Sequence, residues 1–253
     1  MEPVLFGFDA QLLALTVAVL FLGGFIKGVV GLAMPLLIVG VLPSFMPVPT
    51  VLAIIIGPIL VANLWQAFRT GHAAFVLKRF WPTIAALMIA LWFSAGLVVH
   101  LDNRALYAMI GAAILLFTVT ASIPKVPALP PTWEKWAGPA AGTLGGALGG
   151  ATAIWAPPVM IFYIMLKMPK DEFVSASAMS WFLAAIPMTV AHTRTGVLTP
   201  DTSLMSLAAC VPVFAGVLLG ETIRSRVNQD LFRKLVLLTT FVIGLNLLRR
   251  AIF

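Results

Sequence analysis

One ionisable side chain in this sequence falls where no water is expected. All nine Asp and Glu residues and fifteen of the sixteen Lys and Arg residues lie in or beside short polar clusters; Lys27 alone falls inside an apolar run, immediately before Gly28. An ammonium at membrane depth is costly to bury, so its presence there points to a function, with a ligand of opposite charge as its partner. The bland alternative is that its long stem carries the charge up to the headgroups.

The run around Lys27 is interrupted by Gly28, Gly31 and Pro35, and a second run by Gly145, Gly146, Gly149, Gly150, Pro157 and Pro158. Two readings stand. Small residues such as those of Gly24-x-x-x-Gly28 and Gly146-x-x-x-Gly150 let helices approach closely in lipid. Alternatively, Gly and Pro at corresponding points unwind both helices, and the freed N–H groups and helix N-termini carry partial positive charge suited to an anion. Unwound backbone at that depth must be buried or line a cavity, so two facing breaks with Lys27 beside one would form an anion site near the midplane. Gly31, Gly149 and Gly150 are its candidate backbone, with Pro35 and Pro157 as the breakers. Thr152, Asn63, Gln66 and Ser177 are candidate hydroxyl or amide donors, each also explicable as a packing residue.

Arg69 and Arg194 end equivalent apolar segments, either as gates or as ordinary anchors to helix dipoles and headgroups. His72, His100 and His192 are scattered at loop edges, and Cys210 is the single cysteine. No metal-ligand spacing, nucleophile elbow or phosphate loop is present, so neither a bound metal, a cofactor nor enzyme chemistry is expected.

The elements that would position these residues follow from composition. The chain is 61% hydrophobic and only 10% charged over 253 residues, with mean hydropathy +1.05, against about 25% charged in soluble domains. Apolar stretches long enough to cross the hydrocarbon recur from Leu12 to Ile252. Segments such as 54–61 and 236–248 do not alternate as barrel strands do. Full-length spans are expected at about 50–67, 80–99, 105–121, 173–192, 202–220 and 235–252, and broken helices or hairpins at 10–42 and 136–166. Met1-Glu2-Pro3 lacks the basic region of a cleavable signal, so the first segment is expected to persist. The formal charge of +7 is dispersed over segment ends, which argues against nucleic acid and for cytoplasmic loops resting on anionic lipid headgroups.

An offset of 122 residues lays Gly23-Gly24, Gly28 and Pro35 on Gly145-Gly146, Gly150 and Pro157. An offset of 125 lays Arg69-Thr70-Gly71 on Arg194-Thr195-Gly196, Asn103 on Asn228 and Leu106-Tyr107 on Leu231-Phe232. These matches predict one membrane domain built of two repeats, about 10–121 and 136–253, joined by a loop over about 122–135. Equivalent loops carry opposite charge bias: 69–79 and 221–234 are basic, whereas 194–201 and 100–104 are near neutral. The positive-inside rule then makes the repeats inverted, with an odd number of crossings in each half and both termini outside. Glu2 and Asp9 suit that placement; Arg249-Arg250 run against it. The expected fold is all-α and polytopic: two inverted repeats, each a broken helix or helical hairpin plus three transmembrane helices.

The segment Gly23-Gly24-Phe25-Ile26-Lys27-Gly28-Val29-Val30-Gly31-Leu32-Ala33-Met34-Pro35, with its echo from Gly145 to Pro157, resembles the duplicated signature of the sulfite exporter TauE/SafE family of membrane permeases. The chain departs from that pattern at Leu32-Ala33-Met34, where glycines are usual, and at Lys27, where a small or hydroxyl residue is common. The resemblance implies a secondary transporter of sulfite, sulfoacetate or other organosulfonates in the bacterial inner membrane, a small anion and the surrounding lipids being its partners. Homo-oligomers are compatible with it. Export is favoured because no carboxylate lies at membrane depth as a proton relay. A monoanion leaving a cell at about −100 mV also gains roughly 2.3 kcal/mol, nearly a fiftyfold gradient. The rivals are an anion channel and a cation-coupled sulfonate importer.

Overall fold

The computed structural model describes residues 8–31, 33–69, 71–123, 126–224 and 226–252. Glu2, Leu32 and Thr70 lie outside the described residues, as does the side chain of Arg233. The elements are α1 (Ala10–Val30), α2 (Met34–Val41), α3 (Val48–Arg69), α4 (Ala73–Ala95), α5 (Asn103–Ser122), α6 (Glu134–Gly149), α7 (Ala156–Met165), α8 (Lys170–Arg194), α9 (Pro200–Ile223) and α10 (Gln229–Ile252). Among the described residues seven helices are long and apolar enough to cross a membrane. Six of them coincide with the expected spans, and the seventh is α1.

Helix starts follow from capping chemistry. Asp9 Oδ1 accepts the Leu12 N–H at 2.7 Å and Asp102 Oδ1 that of Ala105 at 2.8 Å, while Thr199 and Thr202 form a reciprocal capping box ahead of α9. These acids therefore serve as caps.

The expected break at Gly28 is absent, because α1 continues unbroken to Val30. What Gly28 provides is proximity: a methyl there would lie 2.3 Å from the Val217 carbonyl oxygen of α9. Gly24 abuts Val213, so α1 and α9 run parallel. Gly142, Gly146 and Gly150 meet Thr83, Leu87 and Ser94 of α4 in the same ascending order. Gly145, Gly146 and Gly149 are likewise helical, and the second interruption falls between Gly150 and Trp155. Close backbone approach, the packing alternative, describes most of these glycines.

Both short segments fold back. A Cβ at Gly23 would meet the Ile38 side chain and the Met34 carbonyl, which places α2 alongside α1; Gly145 similarly faces Trp155 and Val159, placing α7 alongside α6. Each interrupted run is thus a hairpin.

Most of the remaining packing is exchange-symmetric. α1 lies on α9 and α6 on α4; α3 lies on α9 and α8 on α4; α2 meets α10 and α7 meets α5; α3 faces α8, and α5 faces α10. Replacing every helix by the one five places away reproduces this set of pairs. Contacts at the ends fix directions. Arg69 pairs with Glu221 at 2.9 Å, so α3 and α9 end at one face. Arg79 pairs with Glu134 at 2.7 Å at that same face, so α6 begins where α1 ends.

Pro58 inside α3 cannot donate to the Ile54 carbonyl, and α9 repairs the gap. Ser206 Oγ donates to Ile54 O at 3.2 Å and accepts the Gly57 N–H at 2.8 Å, as freed backbone groups in a bilayer require.

Candidate anion site

The first hairpin turns because Gly31 closes α1 in the left-handed conformation, φ 87°, with its N–H on the Lys27 carbonyl. Ala33 follows at φ 75°, and Pro35 sits in the first turn of α2, where its missing N–H leaves no helical bond unmade. In the second hairpin Thr152 Oγ1 donates to Leu148 O at 2.6 Å and accepts the Ile154 N–H at 3.1 Å. Ala153 adopts φ 55°, and Pro157 and Pro158 open α7. A left-handed alanine costs about 1–2 kcal/mol. Ala33 and Ala153 therefore place equivalent backbone strain at the two tips, a recurrent feature of ligand sites.

The tips meet. A cavity of about 40 Å3 is lined by Lys27, Gly31, Ala33 and Pro35 from the first and by Ala153 and Trp155 from the second. Ile59 and Asn63 of α3, Phe117 of α5 and Trp181 of α8 close it. That volume holds roughly three waters, the scale of a small oxyanion. Trp155 and Trp181 form a tilted pair with centroids 6.5 Å apart. Asn63 is six residues from the C-terminal end of α3, about 9 Å along the axis, so the cavity is offset toward the Arg69 face.

Lys27 is only 7% exposed, and its Nζ donates to Asn63 Oδ1 at 2.8 Å. The amide is oriented for this role by Nδ2, which donates to the Ile59 carbonyl at 2.8 Å. Asn63 is a neutral acceptor, so this bond holds the ammonium in place without itself neutralising it, and the Glu221 carboxylate, paired with Arg69, acts on that charge only through space. An ammonium carries three donors, and the bond to Asn63 occupies one of them. Snorkelling does not describe this geometry, since the stem leads inward to α3.

Of the other residues singled out in the sequence, Gly28 packs on α9, Gly149 on Trp155 and Gly150 on α4. Thr152 shapes its turn and Pro157 starts α7; none of these five is in the cavity wall. Gln66 lies with Arg69, Lys170, Asp171, Glu221 and Arg224 in a separate charged vestibule of about 490 Å3. Ser177 lies on α8 one turn from Trp181, outside the wall, with its hydroxyl unpaired. Arg194 stacks over Trp92 at 5.1 Å, so the two equivalent arginines have different partners. Trp155, Trp181, Phe117, Ala33 and Ala153 were not singled out as site residues. Tryptophans inside apolar segments give a weak sequence signal, and alanine gives none for a left-handed backbone. A second, apolar chamber of about 280 Å3 shares Ala33 and Phe117 with the cavity and extends to Met160, Phe173 and Leu237. Among the described residues no group of three His, Cys, Asp or Glu side chains could hold a metal.

Apolar helices long enough to span a bilayer, gathered around two folded-back pairs whose tips enclose a buried cation, define a multi-pass membrane protein of the transporter class. A sequence model of the sulfite exporter TauE/SafE family matches residues 16–247, nearly the whole chain, and the protein belongs to that family. No curated protein and no solved structure matches it.

Proposed function

We propose that this protein is a secondary transporter exporting small sulfur-containing anions, sulfite, sulfoacetate or another organosulfonate, across the bacterial inner membrane by alternating access, and that it catalyses no reaction. The observation that carries the reading is the Lys27 ammonium held by neutral Asn63 in the cavity between the two tips. The site thereby keeps a net positive charge away from water, where an oxyanion is a better partner than any uncharged ligand. The N–H groups that begin α2 and the backbone at Ala153 add donors.

The chain acts as one membrane domain of two inverted repeats, 10–121 and 136–253, joined through 122–135. The exchange-symmetric helix pairs and the opposite directions of α1 and α6 favour this arrangement. The Arg69 face, which also carries Arg79, Lys78 and Arg224, is cytoplasmic by the positive-inside rule, and both termini are outside. Alternating access then consists of the two hairpin tips opening in turn toward opposite faces. The Arg69–Glu221 pair closes the cytoplasmic vestibule. The body of a larger organosulfonate occupies the apolar chamber behind Phe117.

The test is reconstitution into liposomes and uptake of sulfite, sulfoacetate and a C2 sulfonate under an imposed potential. Saturable flux that follows the potential supports an electrogenic carrier. Non-saturating flux makes the protein a channel, flux strictly dependent on a cation gradient makes it an importer, and no flux of any sulfur anion removes the substrate assignment.

A further inference from the structure

We propose that one face of α8 forms the wall of the substrate's route through the protein, and that Ser177 and His192 are polar stations on it, one on each side of the central cavity. The proposal rests on the reading of the cavity as a transport site and extends it toward both membrane faces.

Among the described residues, the buried side-chain polar atoms without a hydrogen-bond partner belong to Ser177 and His192. Ser177 is 4% exposed and His192 fully buried. The Gly150 backbone is close enough to the His192 ring to act on it as a weak polar neighbour, but no partner of either ring nitrogen meets hydrogen-bond geometry. Orphaned polar groups in an interior are unfavourable, and each is a place where a polar ligand gains a hydrogen bond.

Both belong to one stripe. At about 100° per residue, Lys170, Val174, Ser177, Trp181, Met188 and His192 fall within an arc of about 60° on α8. Lys170 and Val174 line the charged vestibule at the Arg69 face, and Trp181 lines the central cavity. Ser177 comes between the two. His192 continues the same face past Trp181 toward Arg194, about 16 Å further along the axis. A helix facing only other helices would have little use for two unpaired polar groups on one stripe. A helix facing a moving oxyanion would present donors there: the Ser177 hydroxyl, and the N–H that a neutral imidazole carries on one nitrogen. On the opposite side of α8 the polar group is satisfied, Ser175 being bonded to the Ala67 carbonyl at 3.3 Å.

Cysteine accessibility tests this without any substrate. In a Cys210→Ser background, Ser177→Cys and His192→Cys are reconstituted and exposed to a small anionic methanethiosulfonate, with adducts read by intact mass. Gln66→Cys in the vestibule is the reactive control and Ala176→Cys the buried one. Both test positions are expected to react at least tenfold faster than Ala176→Cys. An unreactive thiol at either, while Gln66→Cys reacts, overturns the proposal. Loss of sulfite flux alone leaves the labelling result intact, so failure of the transport reading is distinguishable. As a second measurement, Ser177→Ala and His192→Asn each are expected to raise the half-saturating concentration of the transported anion severalfold, and unchanged saturation curves in both count against the stations.

Discussion

Lys27 and Asn63 are joined by one hydrogen bond of 2.8 Å that crosses from α1 to α3, and the acceptor is an amide where a carboxylate would be the usual partner for a buried cation. Stability alone favours the carboxylate, since an unneutralised buried charge is unfavourable. The amide secures the position of the ammonium and leaves its field available to a ligand.

The first prediction follows from that choice. Asn63→Asp keeps an oxygen within reach of Lys27 but neutralises it, so anion flux is expected to drop at least tenfold while thermal stability in detergent holds or rises. Lys27→Ala is expected to abolish flux to a similar degree. Wild-type flux in Asn63→Asp sinks the idea that the charge itself binds the substrate.

Two glycines three positions apart separate packing from conformation. Gly28→Ala places a methyl 2.3 Å from the Val217 carbonyl oxygen and must push α1 from α9, at about 1–3 kcal/mol. Gly31 sits at φ 87° with nothing within 4 Å of a Cβ, so Gly31→Ala incurs only the left-handed penalty of about 1–2 kcal/mol. Chemical unfolding in micelles is expected to rank Gly28→Ala as the less stable of the two, and the reverse order contradicts the close contact of α1 and α9.

Ser206 supplies both a donor and an acceptor to the backbone around Pro58. Ser206→Ala strands the Ile54 carbonyl and the Gly57 N–H, and a loss of about 1–3 kcal/mol is expected. Replacing Pro58 with Ala gives the Ile54 carbonyl an N–H from its own helix, so the same Ser206→Ala change made in Pro58→Ala should cost distinctly less. Equal effects in both backgrounds would dismiss the repair role.

The ion pair between Arg69 and Glu221 is solvent-accessible, the two side chains being 59% and 36% exposed. Such pairs contribute about 1 kcal/mol or less. Arg69→Glu or Glu221→Arg is therefore expected to leave the melting temperature within a few degrees of wild type while altering flux in low salt. The double exchange Arg69→Glu with Glu221→Arg should recover much of it, and no recovery argues against a gate.

Element type was legible because apolar runs of about twenty residues bounded by charge span lipid as helices; the expected spans match α3, α5, α8 and α9 within three residues at each end, whereas α4 and α10 begin well before the apolar runs do. Lys27 stood out because its charge had no water to face. The position of the breaks was not legible. Gly28 and Gly31 look alike in sequence, and only the partner helix α9, contributed by a distant stretch of chain, makes one a contact and the other a turn. The chemistry of Ser177, Gln66 and Thr152 does not fix where their side chains point, and the fold sends each to a different place. Nothing in the sequence marks Trp155 and Trp181, because tryptophan in an apolar segment has many uses.

The pairing of α1 with α9 has a consequence for synthesis. Gly24 and Gly28 find their contacts at Val213 and Val217, residues the ribosome adds long after α1 has entered the membrane. At about 5–20 residues per second, the glycine-lined flank of the first helix waits on the order of ten to forty seconds for its mate. A nascent chain halted before α9 therefore leaves that flank of α1 without its partner.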